Sequence, residues 1–156
     1  MKFTKTNIVR IAQAVLGLVA LLLLFAPALT YTIPYVNKVV NLSGFQAWLG
    51  GNIDVAGYSV NNELTFGGVL ALILVIDAIA LPVVSLFVKK DIAKFLSYAT
   101  IGVAVVAAIF LFCGTTGLMC SFDASAYSLG WGAIVAAILL IVEAAASAVI
   151  EFVIKD

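Results

Sequence analysis

Two acidic side chains interrupt long apolar runs in this chain: Asp77 in LALILVIDAIALPVV (70–84) and Glu143 in VAAILLIVEAAASAVI (135–150). No Lys, Arg or His lies near either acid, and the chain has no His at all. Burial in a dry interior disfavours the charged form of a carboxyl, and a second carboxyl nearby raises one of the pair further. Two acids so placed either hydrogen-bond across helices in the neutral form or hold a proton or cation reached by water. Pro82 adds one detail, because it has no N–H to offer the carbonyl of Ala78, beside Asp77. The remaining reactive groups are Cys113 and Cys120, which flank GTTGLM. A local disulfide and two free thiols are both open readings, since spacing alone does not fix the required geometry.

Without His, with two cysteines that form no CxxC pair and with no Gly-rich phosphate loop, the chain assembles no catalytic or metal-binding motif. We therefore expect a non-enzymatic protein that uses no cofactor and no metal and binds no nucleic acid.

The elements that must carry the acids follow from hydropathy. Hydrophobic residues make up 65% of the chain and charged ones 10%, and mean hydropathy is +1.24. Such a composition places it among membrane proteins. Four runs, near 11–31, 66–88, 93–113 and 129–153, have the roughly 20 residues that a helix needs to cross about 30 Å of hydrocarbon. Lys2, Lys5 and Arg10 precede the first run, Lys89, Lys90 and Lys94 lie between the second and third, and Lys155 follows the fourth. The positive-inside bias then predicts a multi-pass cell-membrane protein with both termini cytoplasmic and outer loops at 32–65 and 114–128. The basic N-terminus and the APA at 26–28 also fit a cleaved signal peptide, but the apolar run passes the site, and a retained helix is expected.

The second and fourth runs align without a gap at a shift of 66, which lays Asp77 on Glu143 and Lys89 on Lys155. The first and third align more weakly at a shift of 85, with Gly17 on Gly102 and Phe25 on Phe110. A duplicated helical hairpin is expected, with both acids about 18 Å from the cytoplasmic anchors and close together inside a four-helix bundle. Small residues at spacing four, such as Gly132 with Ala136, Ala144 with Ala148, Thr100 with Ala104 and Ala108, and Gly67 with Ala71, predict close helix packing.

The long outer loop is less apolar. Ser43 can cap a short helix that carries Phe45, Trp48 and Leu49 on one face and stops at Gly50 and Gly51. That face suits a partner or the membrane interface; the alternative is a loop folded back as a lid over the helix ends. On either side, Val-, Ile-, Thr- and Tyr-rich segments predict a small sheet, with Pro34 at an edge and a bulge at Gly57.

Four helices, a long first outer loop with strands and a short helix, and a shorter second loop resemble the claudin-type tetraspan layout. The chain is also similar to small four-helix membrane proteins of Gram-positive bacteria, whose first outer loop has a segment like LSGF, here at 42–45. The resemblance implies a left-handed bundle under a structured outer cap, built for lateral or partner association. Claudins carry a Cys pair in this loop; here it has Trp48 and no Cys, so barrier function does not carry over.

Two functions remain. One is a non-enzymatic membrane protein that associates with a second copy or another membrane protein through its outer loop at Phe45, Trp48 and Leu49, with lipid as its other partner. The alternative is a carboxylate-dependent proton or cation channel or transporter subunit using Asp77 and Glu143.

Overall fold

The structure is a computed structural model that describes residues 4–33, 37–55 and 57–154. Four helices long and apolar enough to cross a membrane dominate it: α1 (Lys5–Leu22), α3 (Phe66–Ser85), α4 (Lys90–Phe112) and α5 (Trp131–Phe152). Between α1 and α3 lie β1 (Pro27–Ile33), β2 (Lys38–Ser43), the short helix α2 (Gly44–Trp48), β3 (Gly51–Val55) and β4 (Tyr58–Asn62), and β5 (Ser128–Leu129) precedes α5. The helices pack in a ring in which α1 and α5 touch, α5 and α4, α4 and α3, and α3 and α1. Thus α3 and α5 face each other diagonally, as do α1 and α4. The strands and α2 form a cap at one end, and both ends of the described chain lie at the other, the terminal end.

Small residues fill the bundle and large ones coat it. Ala20, Ala71, Ala78, Ala104, Ala107, Ala108, Ala133, Ala136 and Ala137 are buried, while Val15, Leu18, Ile73, Ile76, Val105, Ile109, Ile138 and Ile141 are exposed. A soluble bundle would place these the other way round; lipid accepts the outer faces, and backbones joined through small residues gain close contact. Exposed aromatic side chains ring both ends, with Phe25, Phe66, Phe112 and Trp131 near the cap and Phe87, Phe95, Tyr98 and Phe152 near the termini. From Phe66 to Phe87, or Trp131 to Phe152, the rise is about 32 Å at ~1.5 Å per residue, the thickness of a hydrocarbon core.

The first helix ends earlier than its hydropathy predicts. After a 3-10 turn at Leu23–Phe25 the chain becomes β1 at Pro27, where helix was expected to 31. Proline drives its predecessor, Ala26, out of helical geometry, and Thr30, Tyr31, Thr32 and Ile33 favour a strand. In β1, Ala28 and Leu29 are fully buried. The sheet order is β2–β1–β5, antiparallel throughout, with an irregularity between Pro27 and Leu29. The pairs Leu29–Leu129 and Thr30–Ser128 tie the start of the cap to the entrance of α5, and the Thr30 and Ser128 hydroxyls lie 2.9 Å apart.

The short helix forms as its residues predict. The Ser43 hydroxyl accepts from the Gln46 N–H while the Gln46 side chain accepts from the Ser43 N–H, a reciprocal cap. Gly50 and Gly51, at φ of 90° and 141°, end it. Strands β3 and β4 form a separate hairpin, and Gly57, at φ of 88°, belongs to its turn and not to a bulge. Pro34 lies outside the described residues.

The register of the internal repeat also differs from the sequence alignment. On α3 the buried residues are Gly67, Gly68, Ala71, Val75, Ala78, Pro82 and Ser85, and the residues 65 positions on, from Gly132 to Ile150, are all buried on α5. At a shift of 66, buried Val75 falls on exposed Ile141. Likewise Arg10, Gln13, Gly17, Ala20 and Leu24 correspond in burial to Ser97, Thr100, Ala104, Ala107 and Leu111, a shift of 87 where sequence matching favours 85. In an apolar helix many registers match in residue type, but each slip of one residue turns a face by about 100°. In burial, therefore, the counterpart of Glu143 is Ala78 and not Asp77.

Candidate functional site

That difference of one residue sends the two acids to different places. Glu143 sits in the buried stripe of α5 with no exposed surface, whereas Asp77 is half-buried, beside the buried stripe of α3. Ile79, on one flank of that stripe, lies against Gly17 of α1. By helical periodicity Asp77 occupies the opposite flank with Leu74 and Leu81. Both Glu143 carboxyl oxygens are buried with no hydrogen-bond partner, so no interhelical hydrogen bond joins Glu143 to Asp77.

What surrounds Glu143 is a layer that α1 supplies. The Gln13 amide donates to the backbone carbonyl of Glu143 at 3.1 Å and to the Ser147 hydroxyl, one turn further along α5. At Gly17, one turn further along α1, a Cβ would lie 3.3 Å from a Glu143 carboxyl oxygen and 2.9 Å from Ile79. The carboxyl therefore occupies space that any larger residue at 17 would take. Toward the termini, Arg10 donates to the Ser85 carbonyl at 3.2 Å, and the Ser85 hydroxyl donates to the Pro82 carbonyl at 2.6 Å. Arg10 and Ser85 then line a cavity of about 700 Å³ that opens at the terminal end, bordered also by Asn7, Asp91, Lys94 and Glu151.

Sequence reasoning picked out Glu143 but not the residues around it. Gln13, Gly17 and Arg10 lie three and four apart with Ala20 and Leu24, so a helical wheel of the first run would have put its polar residues on one buried face. Among the described residues no group of three or more His, Cys, Asp and Glu gathers in a way that could hold a metal.

Of the residues expected to make an outer contact, Trp48 folds inward, whereas Phe45 and Leu49 keep part of their surface exposed. Trp48 is buried and its Nε1 donates to the Gly114 carbonyl at 3.0 Å, while Phe45 is half-buried with its ring 4.4 Å from that of Phe25, and Leu49 is half-buried. The Asn62 amide donates to the carbonyls of Gln46 and Ala47 at 2.6 and 2.9 Å and so closes the end of α2. Thr65 caps α3 by accepting from the Gly68 N–H and places its hydroxyl 2.8 Å from the Met119 carbonyl and 3.1 Å from that of Trp48. The loop thus lies over the helix ends as a lid.

Cys113 and Cys120 are thiols here, Cys113 half-buried and Cys120 buried with its Sγ donating to the same Gly114 carbonyl. Burial raises the Cys120 pKa to about 11, opposed in part by the hydrogen bond with Trp48. Because the thiolate is the nucleophile, maleimide at neutral pH is expected to modify Cys113 and spare Cys120 in the folded protein. Alkylation of Cys120 should accelerate only as pH rises toward 11, as peptide mapping across a pH series would show.

No family model, curated protein or solved structure matches this chain.

Proposed function

We propose that the chain is a non-enzymatic multi-pass membrane protein, its termini cytoplasmic, whose working group is Glu143, a carboxyl that binds and releases a proton or small cation within the bundle. One observation carries this reading: Glu143 has no exposed surface and neither carboxyl oxygen has a hydrogen-bond partner. Leaving such a group unsatisfied costs about 1–3 kcal/mol or more, and intramembrane acids held at that cost mark ion and proton sites by default. Among the described residues Lys5, Arg10, Lys89, Lys90 and Lys94 gather at the terminal end and Lys38 lies in the cap, which supports the orientation. Asp77, half-buried and not hydrogen-bonded to Glu143, is not required for the reading.

Association with a second copy or another membrane protein through the cap, the other function open to the sequence, would have to use residues other than Trp48, which the bundle occupies. Liposome reconstitution tests the preferred reading. Wild-type protein is expected to dissipate a pH or cation gradient, Asp77→Asn to retain that flux and Glu143→Gln to lose it. Absence of wild-type flux, or full flux in Glu143→Gln, would refute it.

A further inference from the structure

The surroundings of Glu143 differ on its two sides. Toward the termini every turn of the bundle carries a polar side chain: Gln13 and Ser147 beside Glu143, then Arg10 and Ser85, then the cavity of about 700 Å³ that Arg10 and Ser85 line. On α4 the buried hydroxyls of Ser97 and Thr100 lie in the same half and donate to the carbonyls of Ala93 and Leu96. Toward the cap the buried side chains are Ala20 and Leu24 on α1, Ala71 and Val75 on α3, Ala107 and Leu111 on α4, and Ala136 and Leu140 on α5. Trp48 and Met119 close that end. Among the described residues no buried polar side chain of the four long helices lies between Glu143 and the cap.

We propose that the ligand of Glu143 is a proton, which in the conformation described here exchanges only with the compartment at the terminal end by way of Gln13 and Ser147, while the apolar half beneath Trp48 seals the carboxyl from the opposite compartment and must open for the proton to be released there. This rests on the reading of Glu143 as the working group. A dehydrated metal cation needs about six oxygen ligands, whereas the Glu143 carboxyl faces Gly17 and Ile79 and no other acid, His or Cys joins it in a group of three. A single carboxyl can hold a proton unaided. Water reaching the cavity needs to pass only one polar layer to meet it, while on the other side it would meet several turns of Ala, Val and Leu, which offer water none of the polar partners it needs. The charged groups on the surrounding elements are Lys5 and Arg10 on α1, Asp77 on α3, Lys90, Asp91 and Lys94 on α4, and Glu151 on α5 itself. All but Asp77 lie at the terminal end, around the entrance.

Infrared spectroscopy of the full chain in liposomes, reconstituted in one orientation, tests the sidedness without altering the protein. The C=O band of a protonated carboxyl is assigned to Glu143 by its loss in Glu143→Gln or, should that variant fail to fold, by its shift in Glu143→Asp. A rapid jump to alkaline buffer on the terminal side is expected to abolish the band, and the same jump on the cap side to leave it intact. Loss of the band from the cap side, equal response from both, or no response from either would overturn the proposal. A one-sided band together with undiminished flux in Glu143→Gln would instead refute only the functional reading. Flux that depends on Glu143 with a band that answers to the cap side would refute only the sidedness.

Discussion

Replacement of Gly68 by alanine is expected to unseat the cap. A Cβ at this position would stand 1.9 Å from the carbonyl oxygen of Trp48 and 2.6 Å from its carbonyl carbon. Those atoms are backbone and cannot swing aside as a side-chain tip can. They are also fixed from several directions: Thr65 reaches the same carbonyl, the Gly68 N–H is bonded to Thr65, and the neighbouring Gly67 N–H donates to Leu118 at 3.2 Å. The chain can relieve the clash only by drawing α2 away from the start of α3, which removes Trp48 from its buried seat. Overpacking of this kind costs about 3 kcal/mol, or a melting-temperature decrease of about 10 °C for a chain of this size. Gly102 supplies the control, since a Cβ there meets nothing within 4 Å. Its replacement by alanine in the interior of α4 should stabilise by about 0.5–1 kcal/mol through helix propensity. Thermal unfolding of both variants in one detergent checks the pair, and equal melting of Gly68→Ala and wild type would mean that α2 does not dock there.

The second large effect has the opposite sign from most substitutions at a buried position. Glu143→Met is expected to raise stability by about 1–3 kcal/mol, because it keeps the volume while removing two oxygens that have no partner. Glu143→Gln should bring no such gain, since its amide presents the same layer with donors as well as an acceptor. A residue retained for architecture would lose stability on replacement. One retained for function is held against stability, and its removal gives a sturdier, inactive protein. Unfolding midpoints for the two variants beside gradient dissipation in liposomes separate these cases: a methionine variant less stable than wild type would make Glu143 structural.

Much of this was legible in the sequence, at the level of elements. Four long helices, the short helix capped by Ser43 and the strands beside it follow from hydropathy, capping residues and β-branched clusters. What the sequence left open shares a cause, which is that residue type does not reveal direction. Phe45, Trp48 and Leu49 share a helix face whether that face meets a partner or the chain's own helix ends, and only the Gly114 carbonyl beneath Trp48 decides it. The runs around Asp77 and Glu143 read alike, yet a one-residue difference of register places one acid in the core and the other at its margin. The first helix looked continuous because Ala26, Pro27, Ala28 and Leu29 are all apolar, whether helical in lipid or extended in a buried strand.

The pairing of β1 with β5 carries a consequence for how the molecule is made. Thr30 meets a partner 98 residues downstream in Ser128, and Gln13 meets Ser147 after 134. Gln13 of α1 and the second edge of β1 therefore wait for the β5–α5 segment, made much later, before either is satisfied. Until α5 inserts, Gln13 faces lipid or a neighbouring helix without its acceptor, and β1 has an open edge toward α5. Closure of the cap thus reports the arrival of α5, and a product arrested before α5 would retain the features that membrane quality control recognises: a bare polar group in the bilayer and a strand with one open edge at its surface.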